Sequence, residues 1–304
     1  MDWTERVGHL RQWNRGGERA PHKPLLLLYA LGRFQRRPGE PLRYSDIERD
    51  LSDLLQDYGP PRRTSPAYPF HHLAGDGVWE VRTNHGTGSP GTGVRALRES
   101  EAEGRLVPAL RAALAEEPAL LGRLAHLLLD THFPPSLHAD IAEAAGLDLE
   151  LADRAGAVGT AVAARTRQRA AELRRSVLTA YEHRCAFCGF DGALGRIPVA
   201  LEAAHVRWWA FSGPDELSNA LCLCSLHHKL FDRGVLGLDR DRRITVSREF
   251  TGRGTAARRQ VLDLTGRELT GPQAGSAEVA PEHIGWHTGQ VFRGEARTPE
   301  PSRV

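Results

Sequence analysis

Apolar residues recur at helical spacing from Trp3 to Leu31, and PHKPLLLLYALGRF places Pro24 just before a strongly apolar run, which suits the first turn of a helix. RPGEPLRYSD then reads as a loop. Ser45 or Asp46 is expected to cap a second helix over Ile47–Tyr58, with Ile47, Leu51, Leu54 and Leu55 on one stripe. After the Gly59-Pro60-Pro61 break the pattern changes. RRTSPAYPFHHLAGDGVWEVRT reads as a short extended segment, a turn at Gly75-Asp76-Gly77 and a strand from Val78 to Arg82. A Gly-rich loop, Gly86–Gly93, precedes amphipathic helices at Leu106–Leu114 and Leu120–Leu129, and Ser136–Leu147 gives a last short helix. Two helices and a hairpin predict a mostly helical, winged-helix-like first domain.

The character of the chain shifts near Asp153–Ala164. Ala155–Thr160 reads as a hinge, and Arg165–Tyr181 as a basic amphipathic helix whose Arg165, Arg167, Arg169, Arg174 and Arg175 are placed to track phosphates or simply to face solvent. Beyond it, VALEAAHVRWW is strand-like, FSGPDELSNA is a polar loop, and a helix is expected from near Ser225. The expected fold class is α+β. The expected boundaries are a first domain at 1–153, a linker at 154–166, a second domain at 167–294 and a tail at 295–304.

Composition narrows the class. The chain has 304 residues, 40% of them apolar and 26% charged, enough for two domains with their own cores. Apolar runs such as Leu124–Leu129 are far too short for a bilayer, and MDWTERVGHLRQW lacks the apolar core of a signal peptide, so a cytoplasmic protein is expected. Net charge is +2, and only Lys23 and Lys229 among the 40 basic residues are lysines. Arginine suits bidentate phosphate contacts, but codon bias, with Ala, Gly, Leu and Arg running high and Lys and Met low, is the favoured account of the count.

In a reducing compartment a tight cysteine cluster points to metal rather than disulfides. Cys185-x-x-Cys188 and Cys224-x-x-His227 are two half-sites of equal interval, the pattern of a tetrahedral structural Zn2+. Cys222 competes with Cys224: strand alternation puts them on one face, though its spacing to His227 is poorer. Between and after the half-sites stand His205, Asn219 and His228, separated by 14 and nine residues. This His…Asn…His order, with the ending LC..HH..FD.G and the closing segment PEHIGWHTGQVFRG, resembles the HNH endonucleases over roughly residues 168–294. The resemblance implies His205 as general base, Asn219 orienting that imidazole or its loop, and His228 helping to hold a catalytic Mg2+ or Mn2+. Many of the family place an acidic or histidine ligand directly before the first histidine. Here Ala204 stands there and Glu202 lies two residues earlier, which leaves the ion to His228, substrate phosphate and water.

RAPHKPLLLLYAL and SPAYPFHHLAGDGVWEV, flanked by arginines, resemble the sulfur-binding domains of McrA-like restriction enzymes over roughly residues 5–150. That resemblance implies a double-stranded DNA partner carrying a phosphorothioate linkage. Its sulfur would meet an apolar wall including Tyr68 and Pro69, with His71, Arg82, His22 and Lys23 nearby. Taken together, the two resemblances imply a modification-dependent, type IV restriction endonuclease. A double-strand break would need two sites, from a homodimer or two binding events. Two other readings stand beside this one: an HNH nuclease directed to another mark such as methylated cytosine, and a zinc-stabilised, non-catalytic DNA-binding regulator. An intact His205, Asn219 and His228 set argues against the last.

Overall fold

The computed structural model describes residues 2–11, 18, 20–154 and 161–299, with side chains of the last stretch from 171 onward. The expected hinge at 155–160, and the side chains of Arg165, Arg167 and Arg169, lie outside these. The chain divides into two compact units, Met1–Val158 and Gly159–Val304. Among the described residues no helix is long and apolar enough to cross a membrane.

In the first unit, helix α1 (Trp3–Gly8) is followed by α2 (His22–Arg36), whose Leu25, Leu26, Leu27, Leu28 and Leu31 are all fully buried. A helix apolar all round belongs at the centre of a core, and Pro24 sits in its first turn, where a missing N–H costs nothing. Strand β1 (Leu42–Arg43) runs directly into α3 (Tyr44–Tyr58). The helix starts earlier than the sequence suggests, and neither Ser45 nor Asp46 caps it. The reason is Tyr44, which is buried as the first helical residue, packs its ring 5.1 Å from Phe70, and donates its N–H to the Ala102 carbonyl.

The stretch read as extended is a helix, α4 (Ala67–His72). Pro66 just before it and Pro69 in its first turn both fix φ near the helical value and need no intrahelical hydrogen bond there. A 3-10 turn, Leu73–Asp76, then ends on Gly77 in the left-handed region at φ 71°. Strands β2 (Trp79–Thr83) and β3 (Gly86–Thr87) form a hairpin, α5 (Val94–Glu99) follows, and β4 (Glu103–Leu106) returns to give an antiparallel sheet in the order β1-β4-β2-β3. Glu103–Leu106 is therefore strand, and the next helix, α6 (Pro108–Glu116), waits for Pro108. Trp79 lies over Gly104 of β4, where a Cβ would collide with the indole, and donates from Nε1 to the Phe70 carbonyl at 3.1 Å. This fastens α4 to the sheet. Helices α7 (Pro118–His132), α8 (Pro135–Ala144) and α9 (Leu149–Arg154) complete the unit.

The second unit begins with α10 (Ala161–Ala180), then a hairpin of β5 (Ala193–Leu194) and β6 (Ile197–Pro198). Its centre is the antiparallel pair β7 (Leu201–His205) and β8 (Ala220–Cys224), with Leu201 opposite Cys224 and His205 opposite Ala220, followed at once by α11 (Ser225–Asp232). Strands β9 (Leu236–Leu238) and β10 (Ile244–Val246), then α12 (Thr255–Gln260) and α13 (Pro281–Gln290), surround it. Val177, Phe187, Ala204, Leu221, Leu223, Phe231 and Leu236 share one buried core. The closing segment is part of that packing. His287 of α13 stacks on Phe231 at 3.8 Å and hydrogen-bonds its carbonyl through Nε2 at 3.1 Å.

Candidate functional site

The order β7-β8-α11 brings the chemistry-bearing residues of the second unit onto adjoining elements. His205 ends β7, Asn219 immediately precedes β8, and His228 lies in the first turns of α11. Asn219 is fully buried (0% exposed), and its carboxamide staples the intervening loop. Oδ1 accepts from the Arg207 N–H at 2.8 Å, while Nδ2 donates to the carbonyls of Arg207 and Pro214 at 2.9 and 3.0 Å. Gly213 lies against this staple, since a Cβ there would run into the Arg207 carbonyl and the Asn219 amide. His205 meets Asp215, one residue past the stapled stretch, with Nε2 and Oδ1 2.8 Å apart.

His228 has a different set of partners. Its Nδ1 is 2.6 Å from Glu202 Oε2 and its Nε2 is 3.1 Å from Asp232 Oδ2. Asp232 is buried and also accepts from Trp208 Nε1 at 3.0 Å. Burial opposes a charge on His228, but Asp232 and then Glu202 outweigh it and raise the imidazole to about 10. The hydrogen bond from His228 in turn draws Glu202 down to about 2. Glu202 thus reaches His228 from β7, although the position directly before His205 carries no acid. The position before His205 is buried Ala204, and strand alternation puts residue 202 on the same face as 204, from which the longer glutamate side chain extends to α11.

Behind these groups, Cys185, Cys188, Cys224 and His227 each offer a ligand atom within 4.8 Å of the others, a set able to hold one metal ion. Cys222 is outside this group; it is buried opposite Ala203, and burial pushes its thiol up to about 12. His227 turns Nδ1 toward Cys224 Sγ (3.2 Å) and Cys185 Sγ (3.5 Å) and places Nε2 2.8 Å from the Gln260 carbonyl. A carbonyl only accepts, so Nε2 carries a proton, and Nδ1 is the nitrogen turned to the sulfurs, where a metal ion would take the place of its proton. Burial pulls this imidazole down, but the bonds to Cys185 and Cys224 raise it to about 10. The thiols polarise each other: Cys188 hydrogen-bonds Cys185, lowering Cys185 well below a normal thiol, and is itself raised. Crowded sulfur donors that stabilise a thiolate fit a soft or borderline ion.

In the first unit a cavity of about 540 Å3 is lined by, among others, His22, Lys23, Arg62, Arg63, Tyr68 and His72. Tyr68 is 38% exposed, stands edge-on to His22 at 6.3 Å and lies 4.3 Å from the His72 ring. Helical spacing makes the second contact, because residues 68 and 72 share one face of α4. Lys23 is buried beside the cavity, donating to Asp76 Oδ2 at 2.6 Å and to the Arg11 carbonyl at 2.8 Å. Of the other expected residues, Pro69 is buried in the first turn of α4, His71 lies beside His72 outside the lining, and Arg82 is on β2, exposed and 4.0 Å from Glu80.

Residues 1–150 match the family model described as the ScoMcrA-like DNA sulfur-binding domain, and residues 185–239 match that of an HNH endonuclease. The chain joins a sulfur-binding domain to an HNH endonuclease domain. Similar solved structures include the sulfur-binding domain of ScoMcrA complexed with phosphorothioated DNA, 25% identical over 50% of this chain and 99% of that one, with a TM-score of 0.43. The sulfur-binding domain of SprMcrA complexed with phosphorothioated DNA is 26% identical over 49% and 97%, with a TM-score of 0.42. The modification-dependent TagI restriction endonuclease is 27% identical over 38% and 36%, with a TM-score of 0.28. No curated protein matches the chain.

Sequence reading passed over several groups that the two domains bring to these sites. Asp215 and Asp232 of the HNH domain were not singled out, although Asp232 is four residues after His228 and so one helical turn away. In the sulfur-binding domain, reading Tyr68 as strand hid His72, and Arg62 and Arg63 carried no pattern of their own.

Proposed function

We propose that the chain is a modification-dependent restriction endonuclease that captures double-stranded DNA carrying a phosphorothioate linkage and hydrolyses a phosphodiester bond nearby. The observation that carries this reading is the joining, on one chain, of the sulfur-binding domain and the HNH domain. The chemistry of the cavity supports it. Sulfur in place of a non-bridging oxygen leaves the charge but is larger and less tightly hydrated, so an aromatic wall penalises its burial less than that of oxygen. Tyr68 would supply that wall, backed by the turn that Pro69 stiffens. Lys23, Arg62, Arg63 and His22 would form a cationic rim that attracts either backbone equally, so affinity comes from the rim and discrimination from the wall.

In the HNH domain, His205 would take a proton from water as that water attacks phosphorus, a role suited to near-neutral pH. Asn219 would hold the loop that flanks it. His228, with Glu202 and Asp232 around it, would hold a divalent cation, Mg2+ or Mn2+, which would displace one of the protons that the two carboxylates keep on the ring. When bound, this ion would neutralise charge on the scissile phosphate and its leaving oxygen. Cys185, Cys188, Cys224 and His227 would bind Zn2+, fixing the start of α11 against the Cys185–Cys188 turn.

The test compares phosphorothioate, cytosine-methylated and plain duplexes for binding and cleavage, with His205→Ala as control. Preferential binding and metal-dependent cutting of the phosphorothioate duplex is the expected result. Equal treatment of the three duplexes rejects the proposed target, and no cutting in Mg2+ or Mn2+ rejects the nuclease.

A further inference from the structure

We propose that Asp215 is the positioning residue of the general base, and that the Asn219 side chain acts on the His205 imidazole through the loop that carries Asp215. This deepens the reading of His205 as base and rests on it. A carboxylate can only accept, so the contact between His205 Nε2 and Asp215 Oδ1 at 2.8 Å fixes the proton on Nε2. Nδ1 is then left with its lone pair, the form a base needs. Among the described residues nothing hydrogen-bonds Nδ1.

Asn219 has no donor left for this task. Both hydrogens of Nδ2 go to the carbonyls of Arg207 and Pro214, and its oxygen takes the Arg207 N–H. The bond to Pro214 fixes the residue just before Asp215. The line of support therefore runs from the buried amide, through the 207–214 loop, to the Asp215 carboxylate and on to the imidazole. Residues 207 and 214 are held from both ends, and Gly213 permits the close approach.

In the reaction a water proton moves to Nδ1 while the water oxygen bonds to phosphorus. The bond from phosphorus to the 3′ oxygen breaks, and its electron pair leaves on that oxygen. Nε2 keeps its proton throughout, so Asp215 remains a carboxylate and serves to orient and to stabilise the imidazolium. The side chains of His205 and Asp215 are 24% and 28% exposed, and a pair this open contributes little to stability. Loss of Asp215 is therefore expected to leave the fold intact.

The test uses the full chain and phosphorothioate duplex DNA. Asp215→Ala is expected to lower kcat about 100-fold, with KM and melting temperature unchanged. Asp215→Asn, which keeps an oxygen acceptor, is expected to recover most of that loss. Nitrogen-15 spectra of the His205 ring should show Nε2–H in the wild type and a tautomer mixture in Asp215→Ala. A wild-type kcat in Asp215→Ala, an unchanged tautomer, or a loss that follows a lowered melting temperature without rescue by Asn overturns the assignment. His205→Ala separates the two levels. If it still cuts, the reading of the base fails; if it is inactive while Asp215→Ala is not, only the role of Asp215 fails.

Discussion

Glu202 Oε2 stands 2.6 Å from His228 Nδ1, although one residue belongs to strand β7 and the other to helix α11. Together with Asp232 on the far nitrogen, this makes an acidic pocket around a single imidazole. Such a pocket suits a divalent cation, since two carboxylates bring the negative charge that hard ions require. Glu202→Gln keeps the volume and removes the charge. Its half-saturating Mn2+ concentration for cleavage should rise about 10- to 100-fold, with circular dichroism unchanged. An unaltered metal requirement would place Glu202 outside the ion's reach.

The cysteine set predicts a stability effect of a different kind. Replacing Cys188 by Ser should remove the bound ion and melt the HNH domain at a markedly lower temperature. The loss should exceed about 3 kcal/mol, because metal binding to such a set is coupled to folding. Cys222→Ser should retain full metal content, as that thiol lies outside the cluster. Metal analysis alongside thermal melting checks both variants. Loss of the ion from Cys222→Ser, and its retention in Cys188→Ser, would reverse the assignment.

These two clusters differ in how far the sequence discloses them. Cys185, Cys188, Cys224 and His227 lie in two short loops of fixed interval, so spacing alone points to a shared ion, and the helix from Ser225 follows from its apolar pattern. Glu202 is legible only once β7 is placed, because strand period then sets it on the face of Ala204. Asp215 has no periodic signal, since its place depends on a loop folded by Asn219 and Gly213. In the first unit the apolar run of α2 was plain. The segment around Tyr68 was misread because prolines at 66 and 69 look extended in isolation yet open a helix here. That error hid the 68–72 spacing and with it His72.

Asn219 carries a prediction that contrasts with Asp215. Asn219→Ala would leave the Arg207 N–H and the carbonyls of Arg207 and Pro214 without their partner inside the protein. Unpaired groups of this kind cost about 1–3 kcal/mol each when water cannot replace the bond. The variant should therefore lose both cleavage and stability, and Gly213→Ala should do the same by steric conflict. Urea unfolding monitored by tryptophan fluorescence reads the loss of stability, since Trp208 lies next to the stapled residue. An Asn219→Ala protein as stable as the wild type would remove the staple from the account.

On the proposed reading the sulfur-binding domain would separate discrimination from affinity. Tyr68→Ala should reduce the preference for phosphorothioate over plain duplex while leaving affinity for the plain duplex nearly unchanged. Arg63→Ala should weaken both duplexes alike and lower the slope of log affinity against log salt by about 1. Titrations at several salt concentrations distinguish the two. A uniform loss in Tyr68→Ala would mean that the ring contributes packing rather than selectivity.

His72 adds a pH dependence whose sign can be fixed. Burial, then the neighbouring His71 and Lys23, hold its imidazole below the usual histidine value, so in the free protein it is neutral at neutral pH. An anionic backbone entering the cavity beside it favours the charged form, so the value rises on binding and a proton is taken up. Affinity should therefore increase as pH falls through the bound-state value. It should level off only once the free imidazole is itself charged, below the ordinary value of about 6.5. Fluorescence anisotropy with a phosphorothioate duplex between about pH 6 and 8.5 should show this rise in the wild type and a flatter profile in His72→Gln. Parallel profiles for the two proteins would assign the proton uptake to another group and take His72 out of the binding site.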